Sequence, residues 1–254
     1  AKSSLTDFLN ARGIQWVEDP SNQSTAFARV RMRQELQQDE VMQAALTQQL
    51  HDGAAAREAR DHALAKAAAQ MVTVSPLGFA DIVFSAWAAL DSTLAAQLVA
   101  DVLTTISGQT HRPRAHETER LCVALRNGDS RATLHGCDVT HTRGVIRIAR
   151  ELAHCAPALM LRGAGSVMWD QRFRVYHTLA EEQSLELRAL GDAAKPLRLP
   201  AATPSLWHLD ALAFVPYMED TAFSLPDGAR VEIGFAPAKP LAAAPFWWLN
   251  GSWI

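Results

Sequence analysis

The placement of proline constrains this chain more than any other feature: nine of its twelve prolines lie beyond residue 156. Proline lacks the amide proton that a helix interior needs, and its ring clashes with the preceding turn. Long helices are therefore confined to the part before residue 156. That part is also rich in alanine, as in Ala54-Ala55-Ala56 and Ala67-Ala68-Ala69, the residue of highest helix propensity. At 254 residues and 48% hydrophobic, the chain has apolar material for two modest cores of different build.

From Thr25 to Ile106 the pattern reads as helical. Phe84, Trp87, Leu90, Leu94, Leu98, Val102 and Ile106 recur at three- and four-residue spacing and define one buried stripe. Ser75-Pro76-Leu77-Gly78 is expected to break the helices, and Ser107-Gly108 to end the last one. The longest apolar run, Ile82 to Leu103, contains Ser85, Asp91, Gln97 and Asp101, so it reads as a soluble helix rather than a membrane span. Between 112 and 152 the reading is mixed. Pro113 opens a helix to about Asn127, and two short strands follow. In Val145–Arg150, Ile146 and Ile148 face inward while Arg143 and Arg147 lie opposite, with Thr142-Arg143-Gly144 as a hairpin turn. Beyond 158, the segments 172–176, 184–188 and 230–235 alternate as half-buried strands, and Gly163-Ala164-Gly165-Ser166 reads as a loop. The fold class is α+β: a helical bundle, then a small mixed α/β segment, then a β-rich C-terminal domain.

Charge divides along the same boundaries. The net charge of −3 argues against a general polyanion binder, yet residues 1–35, 36–106, 107–162 and 163–254 carry +1, −5, +4 and −3. The third segment is a basic island that also holds five of the nine histidines. Its cations are all arginine, which forks onto phosphate better than lysine does.

Cys122, Cys137 and Cys155 are scattered, odd in number and without a Cys-x-x-Cys pair, which favours a reducing compartment, the cytoplasm by default. No signal peptide is visible at the first residues, and no membrane association is expected. Nucleotide-binding, serine-hydrolase and zinc-protease motifs are missing. His135, Cys137 and His141 share strand parity and could offer zinc three ligands, but the spacing is not that of a common zinc module, so no metal site is assigned.

The most informative segment lies near the start. An apolar stretch, Ile14-Gln15-Trp16-Val17, leads to the turn Asp19-Pro20-Ser21-Asn22 and then to Phe27-Ala28-Arg29-Val30-Arg31-Met32-Arg33. Asp, Ser and Asn side chains close such turns. Arg29 and Arg33, four apart, share a helix face that is either a solvated basic surface or a phosphate clamp. Asp19-Pro20-Ser21-Asn22 followed by Phe27-x-Arg29-x-Arg31-x-Arg33 resembles the segment closing the catalytic domain of tRNA(Ile)-lysidine synthetases, although Val30 stands where Asn is usual. His111-Arg112-Pro113-Arg114, Thr133-Leu134-His135-Gly136-Cys137, Ile148-Ala149-Arg150-Glu151 and Ala213-Phe214-Val215-Pro216 are similar to later blocks of that family, where Gly usually replaces His135. The ending is similar to that of its alphaproteobacterial members.

The resemblance implies a PP-loop ATP pyrophosphatase that adenylates the wobble cytidine of the isoleucine tRNA with CAU anticodon and lets lysine displace AMP. It implies ATP and Mg for the full-length enzyme, and no cofactor or catalytic residue in this chain, which lacks the family's Ser-Gly-Gly-x-Asp-Ser motif. The chain then reads as the rear of a longer enzyme: 1–35 as the tail of the catalytic domain, 36–155 as a mainly helical tRNA-binding domain ending in a β-hairpin, and 156–254 as the β-rich C-terminal domain. Arg29, Arg33, Arg112, Arg114, Arg131, Arg143 and Arg147 are the candidate tRNA contacts, and Asp19, Pro20, Ser21 and Asn22 a structural turn. The alternative is a domain-contact or homodimerisation module, with Trp207, Trp247, Trp248 and Trp253 in the interface.

Overall fold

The computed structural model describes residues 2–15, 17, 19, 21, 24–218 and 224–241, and these form the α+β fold expected. The chain divides into two compact units, 1–59 and 60–254. Pro20, Asn22, Trp247, Trp248 and Trp253 lie outside the described residues. Among those residues no helix is long and apolar enough to cross a membrane.

The first unit contains helix α1 (Lys2–Ala11), helix α2 (Ala28–Gln38) and the start of the long helix α3 (Glu40–Met71). Between α1 and α2 the Ser21 amide donates to Asp19 Oδ1 at 2.8 Å, the turn closure expected of an aspartate at this position. Asp39 separates α2 from α3 and caps the latter, accepting the Met42 amide at 2.9 Å.

In the second unit, Ala-rich α3 runs straight into an antiparallel hairpin, β1 (Val72–Ser75) and β2 (Phe79–Val83). This corrects the reading of Ser75–Gly78 as a break between helices: it is a hairpin turn. Val72, Val74, Ala80 and Ile82 alternate inward, a period-two signal too short to stand out beside α3. The expected single helix through Ile82–Leu103 is likewise two helices, α4 (Phe84–Ala88) and α5 (Ser92–Ser107). Asp91 separates them because its Oδ1 accepts the Leu94 amide at 2.9 Å and so starts a new helix. Helix α6 (Ala115–Arg126) and strands β3 (Arg131–Leu134), β4 (Cys137–Thr142) and β5 (Val145–Arg150) complete a five-stranded antiparallel sheet of order β1-β2-β5-β4-β3. One face of this sheet, with Ile82, Ile146, Ile148, Val139 and Cys137, packs on Trp87 and the stripe of α5. Each such large side chain removed from water contributes about 1.5–3 kcal/mol.

The β-rich part follows. Strands β6 (Leu159–Arg162), β9 (Ser184–Ala189), β10 (Pro204–His208) and β11 (Ala211–Phe214) form one sheet, and β7 (Ala164–Trp169), β8 (Phe173–Thr178) and β12 (Arg230–Phe235) another. A short helix, α7 (Ala194–Leu197), joins β9 to β10. The Gly163–Ser166 stretch, read as a loop, mostly forms the start of β7. Leu161, Trp169, Phe173, Val175, Leu187, Leu206 and Ile233 from both sheets make a second core.

Arg172, only 1% exposed, joins the two cores. Its guanidinium is bound twice by Asp170 Oδ2 and donates to the carbonyls of Gly78 at 3.2 Å and Ile106 at 3.1 Å. The chain makes room for this approach with glycine: a Cβ on Gly108 would stand 2.6 Å from Arg172 Cγ, and one on Gly78 2.5 Å from the Phe173 ring. Gly108 also caps α5 in the left-handed conformation, as its position in the sequence predicts.

Candidate nucleic-acid interface

The basic island, 107–162, is spread over α6, β3, β4, β5 and β6. The registers bring its polar side chains to the sheet face opposite the helices, where Thr73, Asp81, Arg147, Thr140 and Arg131 stand directly across one another on β1, β2, β5, β4 and β3. Arg131 and Arg147, two expected contacts, therefore share one face.

The arginines differ sharply in how they are held. Arg147 donates from Nε and Nη2 to the two carboxylate oxygens of Asp81, both at 2.7 Å, and lies 4.6 Å from the centre of the Phe79 ring. The hydrogen bonds to Asp81 hold its guanidinium even more firmly protonated than usual. Arg147 is thus a cross-strand clamp between β2 and β5. Arg112 is paired with Asp101 at 2.5 Å and ties the loop before α6 to α5. Burial raises the Asp101 pKa and Arg112 partly offsets it. Arg131 is largely exposed and only loosely paired with Asp138, at 3.5 Å. Arg114, at the N-cap of α6, and Arg143, in the β4–β5 turn, are exposed and have no side-chain partner among the described residues.

In the first unit, Arg29 and Arg33 lie four apart on α2, and the Arg29 guanidinium sits 5.5 Å from the Phe27 ring centre. Arg31 points elsewhere, donating to the carbonyls of Thr25 and Ala26 at 2.7 and 3.1 Å. Asp19 is held below the usual carboxylate range by the amide and side chain of Ser21.

The three residues weighed as zinc ligands do not converge. Cys137 is fully buried, its thiol pushed up to about 12 by burial. His135 occupies the β3–β4 turn with Nε2 2.9 Å from the His111 carbonyl, and burial lowers its pKa. His141 stacks on Phe84. Among the described residues no three His, Cys, Asp or Glu are placed to hold a metal ion. Trp207 is covered by Arg188 at 4.1 Å and donates to Ser205 Oγ at 2.8 Å. No local signal marks Asp81 as the partner of Arg147, because 66 residues separate them. The Phe84–His141 stack is equally hidden, joining a helix start to a strand.

A protein family described as "PP-loop domain" matches over residues 1–40. A tRNA(Ile)-lysidine synthase of Rickettsia bellii (strain OSU 85-389) is 31% identical over 177 residues, 68% of this chain and 41% of the relative. The chain belongs to the tRNA(Ile)-lysidine synthase family. A lysidine synthase of Ruegeria pomeroyi is 29% identical over 227 residues, 81% of this chain and 51% of the relative. That of Brucella melitensis biotype 2 is 28% identical over 254 residues, 93% of this chain and 56% of the relative. The chain thus spans about half the length of the lysidine synthases it matches.

Proposed function

We propose that this chain is the substrate-recognition part of a tRNA(Ile)-lysidine synthase and works in the cytoplasm. The complete enzyme would convert the wobble cytidine of the CAU anticodon to lysidine with ATP, Mg and lysine, and the nucleotide chemistry would depend on the family's Ser-Gly-Gly-x-Asp-Ser motif, which this chain lacks. The observation carrying this reading is the similarity to lysidine synthases along as much as 93% of the chain, with the PP-loop match confined to residues 1–40. The absence of Ser-Gly-Gly-x-Asp-Ser supports a chain inactive alone. The role left to it is to hold the isoleucine tRNA, and of the expected contacts in the basic island Arg114 and Arg143 are the ones without a side-chain partner among the described residues, with Arg131 close behind. Arg29 and Arg33 add a second basic face. The test is lysidine formation with this chain joined to a PP-loop domain of the family. Activity requiring both parts is expected, and full activity of the PP-loop domain alone contradicts it.

A second reading, a domain-contact or dimerisation module, is favoured by one observation. In the first unit Val30 is the one buried hydrophobic residue among those described, while Leu5, Phe8, Met32, Met42, Leu46 and Leu50 are exposed. So much exposed apolar surface on a small unit marks a contact region. Light scattering separates the readings: a dimer that does not bind tRNA favours the second, and a tRNA-binding monomer the first.

A further inference from the structure

Arg143 occupies the first central position of the two-residue β4–β5 turn, with φ 51° followed by Gly144 at 78°. Such turns favour Asn, Asp or Gly, because a longer side chain is strained at positive φ. Among the described residues nothing offsets the strain at Arg143: the side chain is exposed, and no carboxylate, carbonyl or ring holds it.

Next to this turn two rings are stacked. His141 lies on Phe84 with ring centres 4.0 Å apart and planes 26° from parallel, and both residues are half-buried. The Phe84 amide donates to the Gly144 carbonyl at 2.9 Å, which fixes the turn against the start of α4. The His141 amide donates to the Ser130 carbonyl at 2.9 Å, which ties the end of β4 to the residue preceding β3.

We infer that the β4–β5 tip is a subsite for an unpaired ribonucleotide, with the base against the Phe84–His141 stack and its phosphate on Arg143. Every base offers a π-face to such a stack, and unpaired nucleotides are the part of a folded RNA that can be splayed onto a protein. Guanidinium groups supply the matching charge-assisted contacts to phosphate. The subsite rests on the reading of this chain as a tRNA-holding module and names which nucleotides it would hold: unpaired ones.

The test uses the full chain with three probes: isoleucine tRNA, a fluorescein-labelled single-stranded RNA hexamer, and a blunt RNA duplex of the same length. Arg143→Gly is expected to melt at the same or higher temperature, since glycine suits the turn, while binding the hexamer roughly tenfold more weakly. His141→Phe keeps a stacking ring and should retain hexamer affinity, whereas His141→Ala should lose it. Hexamer binding within twofold of the parent for both Arg143→Gly and His141→Ala overturns the subsite. An equal loss for hexamer and duplex in Arg143→Gly also overturns it, because that describes a phosphate contact without a base. Either result can occur while tRNA binding persists, leaving the tRNA-holding reading intact. Failure of the parent chain to bind tRNA would instead remove that reading and the subsite with it.

Discussion

Arg172 is a single side chain whose loss should be felt throughout the second unit. Its guanidinium occupies a space where Asp170, the Gly78 carbonyl and the Ile106 carbonyl converge. Removing one partner of a buried ion pair strands the other, which costs about 3–5 kcal/mol. Arg172→Ala should show a loss of that order in chemical denaturation, and a loss near zero would mean that the two cores do not depend on this residue. His135 gives a pH-dependent prediction. Burial lowers its pKa, so the unfolded chain takes up the proton more readily than the folded one. The stability that neutral His135 contributes is fully present above the ordinary histidine pKa of about 6.5 and is lost as pH falls through the lowered value. Its φ of 57° also suits glycine better. The melting temperature of His135→Gly should therefore gain on the parent as pH is lowered from neutrality, whereas a constant difference would show that His135 does not titrate in this way. Neither residue advertises its role in the sequence: Arg172 stands at the edge of an alternating strand, and besides nearby Asp170 its partners lie 66 and 94 positions away.

Among the elements, helix α5 is defined at its end by Gly108, legible in advance, and at its start by Asp91, which the sequence reading placed inside one longer helix. Asp91→Ala removes the cap on the Leu94 amide and should cost about 1 kcal/mol. Gly108→Ala should cost more than that, because the new Cβ meets both a φ of 73° and the Arg172 side chain at 2.6 Å. Equal losses in urea denaturation would show that Arg172 moves aside freely. The apolar stripe from Phe84 to Ile106 is readable because three- and four-residue spacing persists over several turns. The hairpin β1–β2 is not, since Val72-Thr73-Val74 offers only a few alternating residues beside a 32-residue helix. Likewise the β4–β5 turn can be read from Thr142-Arg143-Gly144, but its proximity to Phe84 depends on a fold-level contact. Local signals thus locate most elements, whereas the partners of the candidate arginines come from strand register.

For the whole molecule, the charge pattern takes on a structural meaning. Of the arginines in the basic island, Arg112 and Arg147 are closely paired with aspartates and hold elements together, while Arg114 and Arg143 have no side-chain partner among the described residues. The sequence locates the island but does not separate these roles, because Asp101 and Asp81 belong to the acidic segment before it. A chain of net charge −3 can then hold one RNA through a few unpaired cations without gripping every polyanion. The most direct measurement is binding of the full chain to the isoleucine tRNA with CAU anticodon across a salt titration. Affinity should fall linearly with salt on logarithmic axes, and replacing Arg114 and Arg143 together by alanine should reduce the slope by about 0.7–0.9 for each phosphate no longer neutralised. No binding at low salt, or an unchanged slope in the double variant, would contradict the holding of tRNA through these arginines.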